Sequence, residues 1–122
     1  DNLLALGLKP DAWVIELGTN DIGSYSAADD YAHLIDEVLA KLSPTVPLAW
    51  VNTYREQYLQ ATNVFNLVLK ERLQRRGHSQ LVDWFAAVSP KHANLLVADH
   101  IHPNATGQRV LSLLVAQALQ RL

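Results

Sequence analysis

Short apolar runs alternate along the chain with segments of helical period. Residues 11–17 and 47–52 are apolar runs of strand length, and residues 80–84 form a third, shorter one. Between and after these runs, apolar residues recur every three or four positions, which predicts helices that each bury one face. Strands that alternate with helices of this length predict right-handed crossovers and a parallel sheet.

Capping and breaking residues mark the ends of the predicted helices. Ser26, with an acid three residues later, predicts an N-cap, and the helical period that follows ends before Pro44. The second helix is predicted over 59–76 and is closed by Gly77. Its inward residues are expected to be Val64, Leu67, Val68, Leu69 and Leu73. Asn104 is predicted to cap the last helix, which runs to the C-terminus. The inward residues of that helix are expected to be Val110, Leu111, Leu114, Val115, Ala118 and Leu119.

The first predicted strand lacks an evident neighbour. Residues 11–17 are apolar on both sides, which favours a central position in a sheet over an edge. Residues 1–10 indicate a helix end and a turn, so they do not offer the missing strand. The chain contains no methionine, even at position 1. We therefore expect it to be a piece of a longer polypeptide, with a strand from outside these residues lying beside 11–17.

Composition narrows the class of protein. With 122 residues, 49% of them hydrophobic and 18% charged, the chain suits one globular domain. The net charge of −2 and the lack of a basic cluster argue against nucleic acid as a partner, since RLQRRG at 72–77 is too short for a basic patch. The absence of cysteine excludes disulfides, thiolate zinc sites and a cysteine nucleophile. No apolar run approaches the roughly 20 residues of a membrane span.

Two short segments contain the residues that suggest chemistry. GTND at 18–21 follows the first strand, and ligands of open parallel sheets bind beyond the carboxyl ends of the strands. The amide of Asn20 could donate to an oxyanion, although asparagine after a strand is usually a turn residue. Asp99 and His102 lie three residues apart in a loop. A carboxylate there can bind imidazole Nδ1 and leave Nε2 to deprotonate a nucleophile, or both can simply belong to a polar loop.

Together, these segments resemble the SGNH (GDSL) hydrolase superfamily. The resemblance rests on GTND at 18–21, on D-x-x-H-P at 99–103 and on the βα elements between them, and it extends from about residue 12 to the end. It implies a three-layer αβα fold with a flavodoxin-like parallel sheet, and a Ser-His-Asp triad that needs no cofactor and no metal. By resemblance, His102 is the general base, Asp99 orients it, and Asn20 donates to the oxyanion.

The chain also departs from the family pattern. The Gly-Asp-Ser motif, which carries the nucleophile, and the motif with the oxyanion glycine are both absent. In the family the serine follows the first strand, and the strand order 2-1-3-4-5 places that strand against residues 11–17. We therefore expect residues 1–122 to be the C-terminal part of a single SGNH-like domain that lacks its first strands. The missing N-terminal segment would be a partner in cis or on a separate chain, and this chain alone would be inactive.

The resemblance implies a serine esterase or O-acyltransferase that acts on small acyl esters. VDW at 82–84 resembles the SGNH domains attached to membrane acyltransferases that O-acylate carbohydrates, which favours an acylated sugar as the substrate. The candidate substrate contacts are Gly18, Tyr54, Arg55 and His100. An arginine at position 55 could bind a carboxylate or sugar hydroxyls, or equally form a surface salt bridge. These features do not determine the cellular compartment, but they favour an extracytoplasmic or secreted location.

Other functions remain open on the sequence alone. A hydrolase-like domain without its nucleophile would be a non-catalytic binding module for a glycan or a protein partner. Asp99, His100 and His102 could bind a metal, although so local a set lacks an evident further ligand. A serine of this chain could also replace the missing nucleophile. Ser24 and Ser26 are the nearest in sequence to the site, but Ser26 is better explained as an N-cap.

Overall fold

Three parallel strands organise the structure, a computed structural model that describes residues 10–25 and 27–122. They are β1 (Trp13–Ile15), β2 (Leu48–Val51) and β3 (Ser79–Val82), and they lie in the order β1-β2-β3. Both neighbouring pairs are parallel. The predicted α/β fold with a parallel sheet is therefore confirmed.

Helices form the connections between the strands and follow the last of them. They are α1 (Ala28–Ala40), α2 (Leu59–Arg76), α3 (Trp84–Val88), α4 (His92–Leu95) and α5 (Ala105–Gln120). Short 3₁₀ segments precede α2 at Glu56–Tyr58 and α4 at Ser89–Lys91. In the part of the chain that the structure describes, no helix combines the length and the apolar character needed to cross a membrane.

The central strand β2 separates two hydrophobic cores. Leu48 and Trp50 lie in one core with residues of α1 and α2, whereas Ala49 and Val51 lie in the other with residues of α3, α4 and α5. This division follows from the alternation of side chains along a strand. All four residues of β2 are buried, as its continuous apolar run predicts. The sheet thus lies between two helical layers, which is the expected three-layer arrangement.

The first strand lies at the edge of the described sheet. Pairing extends only over Trp13–Ile15, a shorter strand than the 11–17 predicted, and Val14 and Leu17 are 41% and 52% exposed. Open edges with apolar side chains invite pairing with another strand. The helix end and turn expected over residues 1–10 lie, apart from Pro10, outside the described residues.

The predicted capping residues are found at the end of α2 and at the start of α5. The N–H of Gly77 donates to the carbonyl of Leu73 and closes α2, and Gly77 has a φ of 74°. The Oδ1 of Asn104 accepts from the N–H of Gly107 at 2.8 Å and caps α5. The N-cap position of α1 is Ala27, and the predicted cap Ser26 lies outside the described residues.

One residue predicted to face inward on each of α2 and α5 is exposed instead. Leu67 was predicted to face inward, but it is 70% exposed. Successive helical residues point about 100° apart, so the run Leu67-Val68-Leu69 cannot lie on the sheet as a whole. Leu119 is 39% exposed for the same reason, because its neighbour Ala118, at 3%, takes the inward position.

The segment after β3 was also predicted incorrectly. Trp84 was placed in the third strand, but it begins α3. Asp83 ends the strand, because its side chain accepts a hydrogen bond from the N–H of Ala86 and so caps a helix there. The segment that follows consequently contains the rest of α3, a 3₁₀ segment and α4 before the loop of Asp99 and His102.

Candidate active site

A cleft lies where the loops after β1 and β2 meet the loop before α5, at the carboxyl ends of the strands. Its volume is about 250 Å³, and both Asn20 and His102 line it. The other lining residues are Glu16, Thr19, Val51, Asn52, Trp84, Ile101, Pro103 and Leu111. The fold therefore brings the predicted oxyanion donor and the predicted base into one cleft, although they lie far apart in sequence.

Asp99 and His102 form a hydrogen-bonded pair at this cleft. The Oδ2 of Asp99 lies 2.5 Å from the Nδ1 of His102. The Oδ1 accepts from the backbone N–H groups of Ile101, at 2.8 Å, and of His102, at 3.0 Å. One carboxylate thus holds both its own loop and the imidazole ring. Because Nδ1 donates to the carboxylate, Nε2 is left to accept a proton.

These hydrogen bonds stabilise the ionised form of Asp99. They lower the pKa of the carboxyl from 3.8 to about 2, chiefly through the side chain of His102 and then through the backbone N–H groups of His102 and Ile101. A carboxyl whose pKa is lower in the folded state stabilises that state above its ordinary pKa. The order that Asp99 gives its loop is therefore complete above a pH of 3.8 and is lost as the pH falls toward 2.

We expect ¹³C NMR of the Asp99 carboxyl carbon to show a titration midpoint near pH 2. In His102→Ala the midpoint should rise toward 3.8, because the substitution removes the largest cause of the shift. The matched control is His33→Ala, since His33 lies on α1 and contacts Glu37 there. The control should leave the midpoint of Asp99 in place. An unchanged midpoint in His102→Ala would contradict the described pairing.

The loop that carries the pair is closed by backbone hydrogen bonds and by close packing. The N–H of Val97 donates to the carbonyl of His102 at 2.9 Å, and the N–H of Asn104 donates to the carbonyl of Leu95 at 2.8 Å. A Cβ at Gly107 would lie 2.1 Å from the carbonyl oxygen of Leu95. The first turn of α5 therefore packs directly on the backbone of α4. His102, the predicted base, is thus presented from a constrained loop, as a precisely placed catalytic group would need to be.

His100 lies between the pair in sequence, but its side chain is not among those that line the cleft. Its φ of 60° is in the left-handed region, which costs a non-glycine residue about 1–2 kcal/mol. Its Nδ1 lies 3.0 Å from Oε2 of Glu56, and Oε1 of Glu56 lies 3.6 Å from Nε2 of His92. Glu56 thus joins the loop after β2 to the loop that carries Asp99 and His102. The role of His100 as a substrate contact stays a prediction.

Across residues 10–25 and 27–122, no group of three or more histidine, aspartate or glutamate side chains is arranged to hold a metal ion. The Nδ1 of His102 is instead bonded directly to Asp99.

Asn20 lies on a tight turn that depends on Gly18. The carbonyl of Gly18 accepts from the N–H groups of Asp21, at 3.0 Å, and Ile22, at 3.2 Å. Gly18 has a φ of 118°, and a Cβ there would lie 2.3 Å from Cζ of Phe65. Position 18 therefore needs glycine both for its backbone angle and for its contact with the Phe65 ring. Gly18 shapes the turn and does not itself line the cleft, so its role as a substrate contact stays a prediction.

Tyr54 and Arg55 lie close to the site but not in the described wall of the cleft. Tyr54 is buried, with its ring 5.5 Å from that of Phe85 between centroids, and burial raises the pKa of its hydroxyl, with a smaller effect from the charge of Glu56. The Nη1 of Arg55 donates to the carbonyl oxygen of Thr19 at 2.8 Å. Their predicted contacts with substrate stay predictions.

Asn52, which was not predicted as a site residue, lines the cleft and joins β2 to α3. Asn52 is 5% exposed, and its Nδ2 donates to Oδ1 of Asp83 at 2.9 Å. Its Oδ1 accepts from the N–H of Phe85 at 2.8 Å. The available signal was a polar residue directly after the apolar run of a central strand, because the carboxyl ends of such strands form the site.

Comparison with known proteins places the chain in a family. Residues 1–110 match the profile of the GDSL-like lipase/acylhydrolase family, and this range includes Asn20, Asp99 and His102. No curated protein matches the chain significantly. With the family profile covering most of the chain and the parallel sheet in place, the chain belongs to the GDSL-like lipase/acylhydrolase family.

Proposed function

We propose that this chain supplies the general base, its orienting carboxylate and an oxyanion donor to a serine esterase or O-acyltransferase. The observation that carries the proposal is that Asn20 and His102 line one cleft while Asp99 binds Nδ1 of His102. Membership of an acylhydrolase family supports ester cleavage as the general reaction.

The reaction proceeds by acyl transfer through a serine ester. The Nε2 of His102 takes the proton of the serine hydroxyl as its oxygen attacks the ester carbonyl carbon. The carbonyl oxygen becomes an oxyanion, to which the side-chain N–H of Asn20 donates. His102 then gives the proton to the departing alcohol. Water or an acceptor hydroxyl attacks the acyl-serine in the same way, and the serine is regenerated.

In this proposal the nucleophilic serine comes from outside the chain. The described residues that line the cleft include no serine. β1 lies at the edge of the described sheet, and Val14 within it and Leu17 just after it are exposed, so a further strand can pair there. Such a strand, in cis or on a separate chain, would end beside the turn of Asn20. Alone, the chain would then have no esterase activity.

The proposed substrate is a small acyl ester, with an acylated sugar as the favoured class and an extracytoplasmic location as its setting. A cleft of about 250 Å³ is smaller than a typical drug-sized pocket, and it suits a short acyl group such as acetyl. The polar side chains of Glu16, Thr19 and Asn52 in its lining suit sugar hydroxyls. The resemblance at 82–84 to domains of carbohydrate acyltransferases supports the same class.

Labelling of the natural full-length polypeptide with a fluorophosphonate probe tests this function. We expect mass spectrometry to locate one labelled serine, outside residues 1–122. Asn20→Ala should slow labelling about 10²- to 10³-fold, because the phosphonyl oxygen loses its donor. The matched control is Asn63→Ala, which changes an exposed asparagine of α2 and should leave the labelling rate unchanged.

Two outcomes would contradict parts of the proposal. A labelled serine within residues 1–122 would exclude an external nucleophile but keep the esterase. A full-length polypeptide that neither reacts with the probe nor cleaves acetyl esters would exclude the esterase. That result would favour a binding module for a glycan or a protein.

A further inference from the structure

The loop after β2 reaches the turn of Asn20 through Arg55. The Nη1 of Arg55 donates to the carbonyl oxygen of Thr19 at 2.8 Å, in a partly buried contact. This carbonyl belongs to the same planar peptide unit as the N–H of Asn20. A hydrogen bond that holds this carbonyl therefore also fixes the orientation of the peptide plane between Thr19 and Asn20.

The backbone from which Arg55 extends is itself held in place by α2. Asn66 accepts at Oδ1 from the backbone N–H of Thr53, at 3.0 Å, and from its hydroxyl, at 3.1 Å. Its Nδ2 donates to the carbonyl of Thr53 at 2.8 Å. Thr53 is 2% exposed, so these bonds are shielded from competing water. The guanidinium of Arg55 then lies over the ring of Tyr58, with Cζ 5.4 Å from the ring centroid.

Stability alone does not account for an arginine at this position. The Nε of Arg55 is buried and has no hydrogen-bond partner among the residues with described positions. A buried donor without a partner is unfavourable, and an unbranched apolar side chain of similar length would avoid it. Such a side chain would lose the bond to Thr19 and the contact of the guanidinium with the Tyr58 ring, and of these two only the bond reaches the turn of Asn20.

We infer that Arg55 is a positioning residue that sets the place of the Asn20 amide by holding the carbonyl of Thr19. The inference rests on the proposed function for its kinetic consequence but not for the anchoring itself. A substrate-binding arginine would act in the cleft, but Arg55 is not among the residues that line it. Its effect on the reaction must therefore pass through Asn20.

Steady-state kinetics on the natural full-length polypeptide with an acetyl ester distinguish these roles. Arg55→Met should lower kcat about 10- to 100-fold and leave KM within about twofold, because a displaced donor weakens transition-state binding. Arg55→Lys should recover part of the loss, since an ammonium can donate to the same carbonyl. Arg75→Met is the matched control at the far end of α2, where Arg75 contacts Glu71, and it should change neither constant.

A double-mutant cycle tests whether Arg55 acts through Asn20. In an Asn20→Ala background, Arg55→Met should lower kcat by less than about twofold further, since the group that it positions is gone. Fully multiplicative losses, or a rise in KM with kcat unchanged, would overturn the inference and place Arg55 on the substrate.

Amide hydrogen exchange tests the anchoring separately from the proposed function. In Arg55→Met, the N–H groups of Asp21 and Ile22, which donate to Gly18, should exchange faster than in the natural protein. Those of Ile101 and His102, held by Asp99, should not change.

Unchanged exchange at Asp21 and Ile22 would overturn the inference even in an active enzyme. Faster exchange in a protein without esterase activity would uphold the anchoring while the proposed function fails. Circular dichroism checks folding, and Arg55→Leu, which also lacks a donor for the carbonyl of Thr19, replaces Arg55→Met if that variant does not fold.

Discussion

Replacing His102 with alanine is expected to lower kcat of the natural full-length polypeptide by about 10⁴- to 10⁶-fold. In the proposed mechanism, a protein without this imidazole leaves the serine hydroxyl protonated during attack and gives no proton to the leaving alcohol. The loss should be larger for an alkyl acetate than for p-nitrophenyl acetate, because p-nitrophenolate can leave without a proton. KM should change little, since the ring acts mainly in the transition state. Steady-state kinetics with both esters provide the measurement.

The control for this substitution is His33→Ala. His33 is exposed on α1, where its Nε2 lies 3.0 Å from Oε1 of Glu37. Its loss should leave both esters hydrolysed at the natural rate. Full activity of His102→Ala on the alkyl ester would exclude His102 as the base. Equal losses of kcat on the two esters would instead show that His102 activates the nucleophile but does not protonate the leaving alcohol.

Local sequence patterns predicted most of the fold. The run LAWV over Leu48–Val51 is buried throughout, and α2 occupies the predicted range of 59–76. These predictions succeeded because periodicity and capping act within a few residues. Trp84 was misplaced because its apolar side chain suits a strand or a helix equally, and the deciding contact is the cap made by Asp83. Leu67 was misplaced because composition alone does not say which residues of an apolar run face the sheet.

In the candidate site, too, contacts within one loop could be predicted from the sequence, whereas contacts between loops required the fold. Asp99 and His102 are three residues apart, so their contact could be predicted from spacing within one loop. The approach of Asn20 to His102 required the parallel topology, which brings the carboxyl ends of the strands to one edge. The contact of Arg55 with Thr19 had no local signal, because it joins two different loops through a backbone carbonyl. Side chain to backbone contacts of this kind depend on the loop conformations that the fold produces.

Replacing Asp99 with asparagine is expected to lower kcat by about 10⁴-fold with the loop still ordered. The amide oxygen can still accept from the N–H groups of Ile101 and His102, as Oδ1 does in the natural protein. The amide NH₂ then faces Nδ1 of His102, which must become the acceptor. The imidazole proton moves to Nε2, where it blocks proton transfer from the serine, and the charge that balances an imidazolium is lost.

A comparison of two substitutions separates these effects. Asp99→Ala removes the acceptor for the backbone as well, so hydrogen exchange at Ile101 and His102 should accelerate in Asp99→Ala but not in Asp99→Asn. Both should lose activity, and Asp29→Asn, an exposed acid in the first turn of α1, should lose none. If Asp99→Asn kept most of its kcat while Asp99→Ala did not, the role of Asp99 would be limited to ordering its loop. Loss in both variants with an ordered loop only in Asp99→Asn would show that the charge and the tautomer of His102 are what the reaction requires.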